Sequence, residues 1–180
     1  MAHNSLDAFT AAIRSAWAPI SSELVTMCRL RLEELVRADP AEDWLASLLA
    51  ERPASRELHR DPSGFMLLAH NENEGLFRPP HDHGRAWVVY GVQSGELELR
   101  TYARVQAAGA EDRLVLRDTS LLRAGEAKAY LPGDIHDTRC LTENALLFRF
   151  TERDLRHEDQ VEHKLSRFVE RDGYWTAPRP

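Results

Sequence analysis

The sequence is poor in cysteine and has no excess of basic charge. Its 180 residues include only two cysteines, Cys28 and Cys140, which stand far apart without any paired spacing. Neither a disulfide framework nor a cysteine-based zinc site is indicated, and a reducing compartment fits. With 23 basic against 29 acidic residues the formal charge is −6, which argues against the concentrated basic surface that nucleic-acid binding needs.

Membrane and leader signals are also missing from the sequence. No stretch approaches the roughly 20 apolar residues of a membrane span, and the first residues lack a basic region followed by an apolar run. We therefore expect a cytoplasmic protein with neither a membrane nor nucleic acid among its partners. The length suits one domain, so the prediction is a single domain over residues 1–180.

The N-terminal part has the three- and four-residue spacing of amphipathic helices. The apolar residues that share one face are Leu6, Phe9, Ile13 and Trp17. Pro19 marks a break, and a second helical stretch follows from Ser21. Asp39 and Pro40 suggest a third helix start, with Asp39 as the cap and Pro40 at the first helical position. We predict a helical part over residues 1–52.

After Pro53 the sequence changes to short alternating runs separated by turn residues, the pattern of an antiparallel all-β body. The predicted strands are Phe65–His70, Ala86–Val92, Glu96–Ala103, Arg113–Leu116, Ala127–Leu131 and Ala145–Thr151. The predicted turns are Asp61-Pro62, Gln93–Gly95, Gly109 and Pro132-Gly133. The fold class is thus all-β, a barrel over residues 56–151 with the helices packed on it. Residues 152–180 form a charged extension, for which a peripheral helix over Glu152–Val169 is one interpretation.

The most informative stretch is Pro79–Gly84, which contains a His-x-His pattern. On an extended chain residues two apart point to the same face, so His81 and His83 direct two imidazoles into one barrel interior while Asp82 points away. A later Pro-Gly turn delivers a third histidine, His136, at the start of its strand. Three neutral imidazoles suit Fe(II), Zn, Cu or Ni. We predict that these three histidines bind one divalent metal. Four other histidines are expected to be ordinary surface or partly buried residues and not ligands: His59, His70, His157 and His163.

These motifs resemble the cupin superfamily, whose first motif is His-x-His with a glycine turn and whose second has Pro-Gly before a third histidine. More narrowly, the sequence is similar to the cysteine-dioxygenase-type thiol dioxygenases. The residues that carry this similarity are His81, Asp82, His83, Gly84, Trp87, Gly91, Gly95, Glu96 and His136. The resemblance covers residues 56–151 and implies a double-stranded β-helix, or jelly-roll barrel, with Fe(II) as the cofactor. Zn, Ni or Mn are other divalent metals that the purified protein can contain.

The chain departs from that family at several positions. Many cupins have a glutamate ligand four or five residues after the second histidine, where this sequence has Trp87 and Val88. Val88 also replaces the cysteine that animal-type cysteine dioxygenases cross-link to a tyrosine. Their late-strand Ser-x-His-x-Tyr set aligns with Leu147, Arg149 and Thr151, so none of it is retained. We expect a three-histidine site without the cross-link and without that acid–base relay.

Arg149 is the candidate catalytic and substrate-binding residue. If the phenylalanines of its strand pack on the helices, alternation directs Arg149 into the barrel, where a guanidinium can bind a substrate carboxylate through two hydrogen bonds. Pairing with an acidic neighbour such as Glu98 is the alternative. Arg56 is a second candidate for substrate binding, because related thiol dioxygenases use an arginine before the metal motif. Arg60 could equally take that place.

The resemblance implies an Fe(II)-dependent dioxygenase that oxidises a small thiol bearing a carboxylate to its sulfinate with O2. The alternatives are a three-histidine cupin dioxygenase acting on a non-thiol substrate, and a non-catalytic cupin that binds a metal or ligand. The expected partners are a small-molecule substrate and O2, and the expected state is a monomer or homodimer.

Overall fold

The computed structural model describes residues 4–106 and 112–178, and the turn predicted at Gly109 lies outside them. Three helices precede the strands: α1 (Ser5–Ala16), α2 (Ser22–Leu35) and α3 (Asp43–Glu51). Asn4 caps α1 and Ser21 caps α2, each accepting a hydrogen bond from a first-turn N–H. None of the helices in the described residues is long and apolar enough to cross a membrane.

The helix start predicted at Asp39 and Pro40 is wrong. The helix begins at Asp43, and Asp39 Oδ1 instead accepts a hydrogen bond from the Ala41 N–H at 2.9 Å in the preceding turn. An aspartate closes a tight turn of its own as readily as it caps a helix, because both use the same side-chain oxygen and a nearby N–H.

The strands follow in chain order. They are β1 (Ser55–Arg60), β2 (Met66–Asn73), β3 (Phe77–His81), β4 (Val88–Ser94), β5 (Glu96–Val105), β6 (Arg113–Arg123), β7 (Ala127–Tyr130), β8 (Ile135–Cys140) and β9 (Asn144–Thr151). A short helix α4 (Leu155–Gln160) and two strands, β10 (Val169–Arg171) and β11 (Tyr174–Thr176), complete the described chain. The extension therefore contains one short helix and a hairpin, and not a helix over its whole length.

The strands form two antiparallel sheets with the strand order of a jelly roll. One sheet has the order β1-β2-β9-β4-β7, and the other has the order β10-β11-β6-β5-β8-β3. From β2 to β9 the chain changes sheet at every connection except that between β5 and β6, which pair with each other. Two Greek keys give this order when they roll into a double-stranded β-helix. β1 and the hairpin β10–β11 extend the sheets at their edges. The predicted all-β jelly-roll barrel with N-terminal helices is confirmed.

The helices pack on the outer face of the first sheet. Phe148 and Phe150 of β9 are fully buried in one apolar cluster with Ile13 and Leu32 of the helices. Gly91 of β4 allows α2 to come close, since a Cβ there would lie only 2.9 Å from Leu32 Cγ. The side chains between the phenylalanines on β9 therefore point inward, toward the second sheet.

Candidate metal centre

Two neighbouring strands bring the three predicted histidines together. His81 ends β3, His136 is near the start of β8, and the two residues pair directly in the sheet, while His83 follows shortly after β3. One possible ligand atom from each histidine lies within 4.8 Å of the others. The ring centroids are 4.8 to 5.3 Å apart. Such a cluster can place three imidazole nitrogens around one ion.

The imidazoles offer nitrogen atoms that have no other partner. His81 Nδ1 lies 2.8 Å from the carbonyl oxygen of Pro79, which can only accept, so Nδ1 carries the proton and Nε2 keeps its lone pair. His83 Nδ1 and both ring nitrogens of His136 are buried without a hydrogen-bond partner among the described residues. Unpaired buried nitrogens are costly, and a metal ion can satisfy them. The donor set fits a divalent metal.

The protein environment keeps the three histidines neutral. Burial lowers the pKa of His81, and it holds the pKa values of His83 and His136 well below their usual range. Mutual repulsion adds to this effect, because His81 lowers the pKa of each of the other two. Neutral imidazole is the form that binds metals, so no proton has to be displaced when an ion enters.

Two tyrosines pack against the histidine rings. Tyr130 stacks on His136 with ring centroids 3.9 Å apart and an interplanar angle of 26°. The hydroxyl of Tyr90 lies 3.3 Å from His83 Nε2, and burial raises the pKa of Tyr90, so the phenol keeps its proton. Sequence reasoning missed Tyr90 because it stands in the apolar run of β4. The alternation of side chains along β4 turns both Val88 and Tyr90 inward, so the sequence pattern does indicate that Tyr90 points into the barrel.

A cavity of about 560 Å³ opens against His81 and His83, and Arg149 lines it. Arg149 stands on β9 directly opposite Tyr90 and is half-buried. Its Nε has no hydrogen-bond partner among the described residues. Glu98, the alternative partner considered for it, pairs with Arg100 at 2.6 Å. Burial lowers the pKa of Arg149, while Tyr90 and Glu72 act in the opposite direction. A guanidinium stays charged in proteins, so a cation that forms no salt bridge within the described part of the chain lines the cavity.

Arg56 does not reach this cavity. Its guanidinium pairs with Glu51 at the end of α3. Arg56 is opposite Ala69 in the sheet, and Ala69 belongs to the apolar cluster under the helices, so Arg56 stands on the helix side of the sheet. Arg60 is engaged elsewhere as well, with Glu57 and Asp154, both at 2.9 Å. The substrate-binding role suggested for Arg56 therefore has no geometric support.

His70 is a cavity residue that sequence reasoning set aside. It lines the same cavity as Arg149, and its Nε2 is buried without a hydrogen-bond partner among the described residues. Burial and then the charges of Arg149 and Arg78 lower the pKa of His70 to about 3. Arg78 itself pairs with the buried Glu72 at 2.7 Å. A lone histidine at the end of an apolar run gives no sequence signal that it lines a cavity.

No family model matches the chain, and no curated protein matches it either. Among solved structures it is similar to KdgF from Halomonas sp., with a TM-score of 0.43 and 18% identity over 56% of this chain and 80% of that one. A cupin domain from Schizosaccharomyces pombe gives 0.44 and 10% identity, covering 59% and 68% of the two chains. Oxalate oxidase in complex with the substrate analogue glycolate gives 0.40 and 20% identity, covering 54% and 50%. All three TM-scores are below 0.5, so the fold assignment rests on the strand order and any function on the site itself.

Proposed function

We propose that the protein is an Fe(II)-dependent dioxygenase that oxidises a small, carboxylate-bearing thiol to its sulfinate. In the overall reaction, R–S⁻ + O2 → R–SO2⁻, both oxygen atoms go to sulfur, and O2 takes up the four electrons that sulfur loses. No other reductant is needed. The observation that supports this most is Arg149, whose Nε has no hydrogen-bond partner among the described residues and which lines the same cavity as two of the three clustered histidines, His81 and His83. A substrate with a metal ligand at one end and an anion at the other suits that arrangement.

The histidines would hold the metal without a carboxylate ligand. Trp87, at one position where many cupins have a glutamate, belongs to the cluster under the helices, and Val88, at the other, is buried among apolar residues. Three protein ligands leave coordination positions open for small molecules. Iron, when bound, supplies the redox-active centre for the reaction of thiol and O2. The family resemblance, and not the ligand set, favours iron over Zn, Ni or Mn.

Arg149 and Tyr90 would orient the substrate between them and the histidines. A guanidinium binds a carboxylate through two parallel hydrogen bonds, and partial burial strengthens this contact because less water competes for it. Tyr90 lies opposite Arg149 and keeps its hydroxyl proton, so it can donate a hydrogen bond to a bound substrate. These two side chains would replace the Ser-x-His-x-Tyr relay that this chain lacks. Holding both ends of the substrate limits it to a productive orientation.

A larger, non-thiol anion is the second candidate substrate, and the cavity size favours it. A volume of about 560 Å³ is larger than a three-carbon thiol fills, and it lies within the roughly 300–1,000 Å³ range of pockets for drug-sized ligands. A three-histidine dioxygenase that cleaves a ring or a carbon–carbon bond would use Arg149 in the same way.

The test is O2 consumption by protein loaded with Fe(II) under anaerobic conditions. Cysteine, 3-mercaptopropionate and mercaptosuccinate carry a carboxylate, and cysteamine is the matched thiol without one. We expect O2 uptake with an equal amount of sulfinate for at least one carboxylate-bearing thiol, and much weaker uptake with cysteamine. Full iron content without uptake for any thiol would contradict the thiol reaction and leave a non-thiol dioxygenase or a binding protein.

Variants of Arg149 test the substrate contact separately from the metal. Hydrogen bonds to charged groups contribute about 1.5–3 kcal/mol, so Arg149→Gln should raise KM for the carboxylate-bearing thiols about 10- to 100-fold. KM for cysteamine should change little. Arg149→Lys keeps the charge but loses the two parallel hydrogen bonds, so its KM should lie between those of the wild type and Arg149→Gln. An equal change in KM for all four thiols would contradict a carboxylate contact.

A further inference from the structure

The segment Leu155–Val169, here named the C-terminal cover, closes one side of the metal cavity. Three apolar side chains of this segment line the cavity beside His81 and His83: Leu155, Leu165 and Phe168. The cover meets the barrel at β3, which is the outermost strand of its sheet. An edge strand has N–H and C=O groups without a neighbouring strand, and these groups are where the cover attaches.

The attachment begins on the strand that carries His81. The N–H of Phe168 donates a hydrogen bond to the Pro80 carbonyl oxygen at 2.9 Å. Next to it, Arg167 forms an isolated antiparallel bridge with His81. The cover therefore pairs with the free edge of β3 as a short extra strand would.

Asp82 makes the closest attachment, between the two histidines. Its N–H donates to the Ser166 carbonyl oxygen at 3.0 Å. Its Oδ1 accepts the Ser166 N–H at 2.8 Å and the Gly84 N–H at 2.9 Å. One carboxylate oxygen thus holds both the cover and the turn that follows His83.

The contact continues past the turn. Gly84 has a φ of +63°, and a Cβ there would lie 3.0 Å from Lys164 Cβ and 3.1 Å from Glu158 Oε1. Glu158 is buried, and its Oε1 accepts the Arg85 N–H at 3.0 Å. Its carboxylate also binds the Arg85 guanidinium at 2.8 and 2.9 Å. The cover is packed directly on the backbone that positions His83.

We infer that Asp82 is a positioning residue that couples the C-terminal cover to the metal ligands. The inference rests on the proposal that His81, His83 and His136 bind a metal. Asp82 does not line the cavity and acts only through backbone groups. Because the same carboxylate holds the cover and the histidine turn, opening the cover removes support from His81 and His83. Cover position and metal retention therefore depend on each other.

The test compares Asp82→Ala with Asp82→Asn, which keeps an acceptor oxygen. The first measurement is hydrogen exchange of the Ser166 and Phe168 amides in metal-free protein. The second is the rate at which EDTA extracts Zn(II) from loaded protein. Removing a group that orients metal ligands typically weakens metal binding about 10- to 100-fold, so Asp82→Ala should speed extraction by at least about tenfold and speed exchange at both amides. In Asp82→Asn, both the amide exchange and the rate of Zn(II) extraction should be close to those of the wild type.

Asp134→Ala is the matched control. Asp134 precedes His136 in the other motif and accepts the Leu131 N–H at 2.7 Å, which is a local turn contact. This variant should leave exchange at Ser166 and Phe168 unchanged. Faster exchange at those amides in Asp134→Ala would show that any loosened turn near a histidine opens the cover, and it would overturn a specific role for Asp82.

Two further results would overturn the coupling. One is unchanged exchange in Asp82→Ala, and the other is faster exchange with unchanged extraction of Zn(II). If Asp82→Ala does not fold, Ser166→Pro removes the donor N–H and keeps Asp82. Exchange is then followed at Phe168 alone, together with the extraction of Zn(II). A wild-type chain that takes up no metal would contradict the proposed function, whereas exchange in metal-free protein would still decide whether Asp82 holds the cover.

Discussion

The N-terminal helices and the C-terminal cover both pack on the barrel, but different interactions hold them. The helices are held by apolar side chains that are fully buried, among them Ile13, Leu32 and Leu45. The cover is held by the carboxylates of Asp82 and Glu158 and by backbone hydrogen bonds, and it has only two buried apolar side chains. Apolar layers separate only on global unfolding, whereas hydrogen-bonded edges open locally at lower free energy. The stability of this barrel and the access to its cavity therefore depend on separate parts of the chain.

The largest expected effect is a loss of stability when an apolar contact between a helix and the sheet is removed. Leu32 is fully buried and lies on Gly91, so Leu32→Ala should lower the free energy of unfolding by about 2–5 kcal/mol. Metal content per folded chain should not change. Leu30→Ala, on the same helix but 46% exposed, should change stability by less than about 0.5 kcal/mol. Denaturant unfolding measures both variants. Metal loss from folded Leu32→Ala would contradict the separation.

Removing the buried carboxylate should act on the cover alone. Glu158→Gln deprives the Arg85 guanidinium of its charged partner, which should reduce the free energy of opening the cover by about 1.5–3 kcal/mol. Native-state hydrogen exchange at Lys164, whose N–H donates to the Glu158 carbonyl, measures this opening. Glu162→Gln is the control, because Glu162 pairs with the same arginine at 3.3 Å but its side chain is 39% exposed, whereas that of Glu158 is buried. Equal acceleration of the α2 amides would contradict a local effect.

Acid should open the cover before the helices unfold. Hydrogen bonding to Arg85 lowers the pKa of Glu158 from 4.5 to about 2. A carboxyl whose folded pKa lies below its unfolded value stabilises the fold above the unfolded pKa, and this contribution is lost as pH falls from 4.5 toward 2. Limited proteolysis of metal-free protein with pepsin at pH 4 and pH 2.5 should show increasing cleavage in the cover. Glu158→Gln should remove most of this pH dependence. An unchanged pH dependence in this variant would contradict the claim that protonation of Glu158 opens the cover.

Two glycines provide the smallest and most closely matched test. Gly84 and Gly133 both have positive φ, 63° and 83°, so alanine at either position should cost about 1–2 kcal/mol of stability. Only at Gly84 does a Cβ meet the cover, since nothing lies within 4 Å of one at Gly133. Exchange at Lys164 should therefore accelerate in Gly84→Ala and stay as in wild type in Gly133→Ala. Equal exchange in the two variants would show that the cover does not depend on this contact.

The barrel and its histidines were predictable because their signals are local. The alternation of β9 predicts an inward Arg149 from the phenylalanines that flank it, and the structure places it there. The predicted strand Ala145–Thr151 falls within β9 (Asn144–Thr151). The His-x-His spacing and the Pro-Gly turn likewise need only their own neighbourhoods to predict where His81 and His136 point.

Two of the missed elements, β3 and the cover, depend on contacts between distant parts of the chain. β3 contains Pro79 and Pro80, which argue against a strand, but an edge strand tolerates proline, and the Pro80 carbonyl still accepts a hydrogen bond from the cover. The carboxylate contacts of the cover join residues 73 and 84 positions apart in the chain, so no local pattern predicts them. The hairpin β10–β11 did carry a local signal, since Asp172 and Gly173 are the usual pair of a two-residue hairpin turn.

Metal analysis of the purified wild-type chain beside His136→Ala tests the central claim most directly. His136 has no hydrogen-bond partner for its ring nitrogens among the described residues, so His136→Ala breaks no hydrogen bond. It does leave a cavity beside Tyr130, and circular dichroism therefore checks that the variant is folded. We predict one divalent ion per wild-type chain after anaerobic Fe(II) loading, and loss of that ion from a folded His136→Ala chain. Full iron retention by His136→Ala would contradict the three-histidine centre.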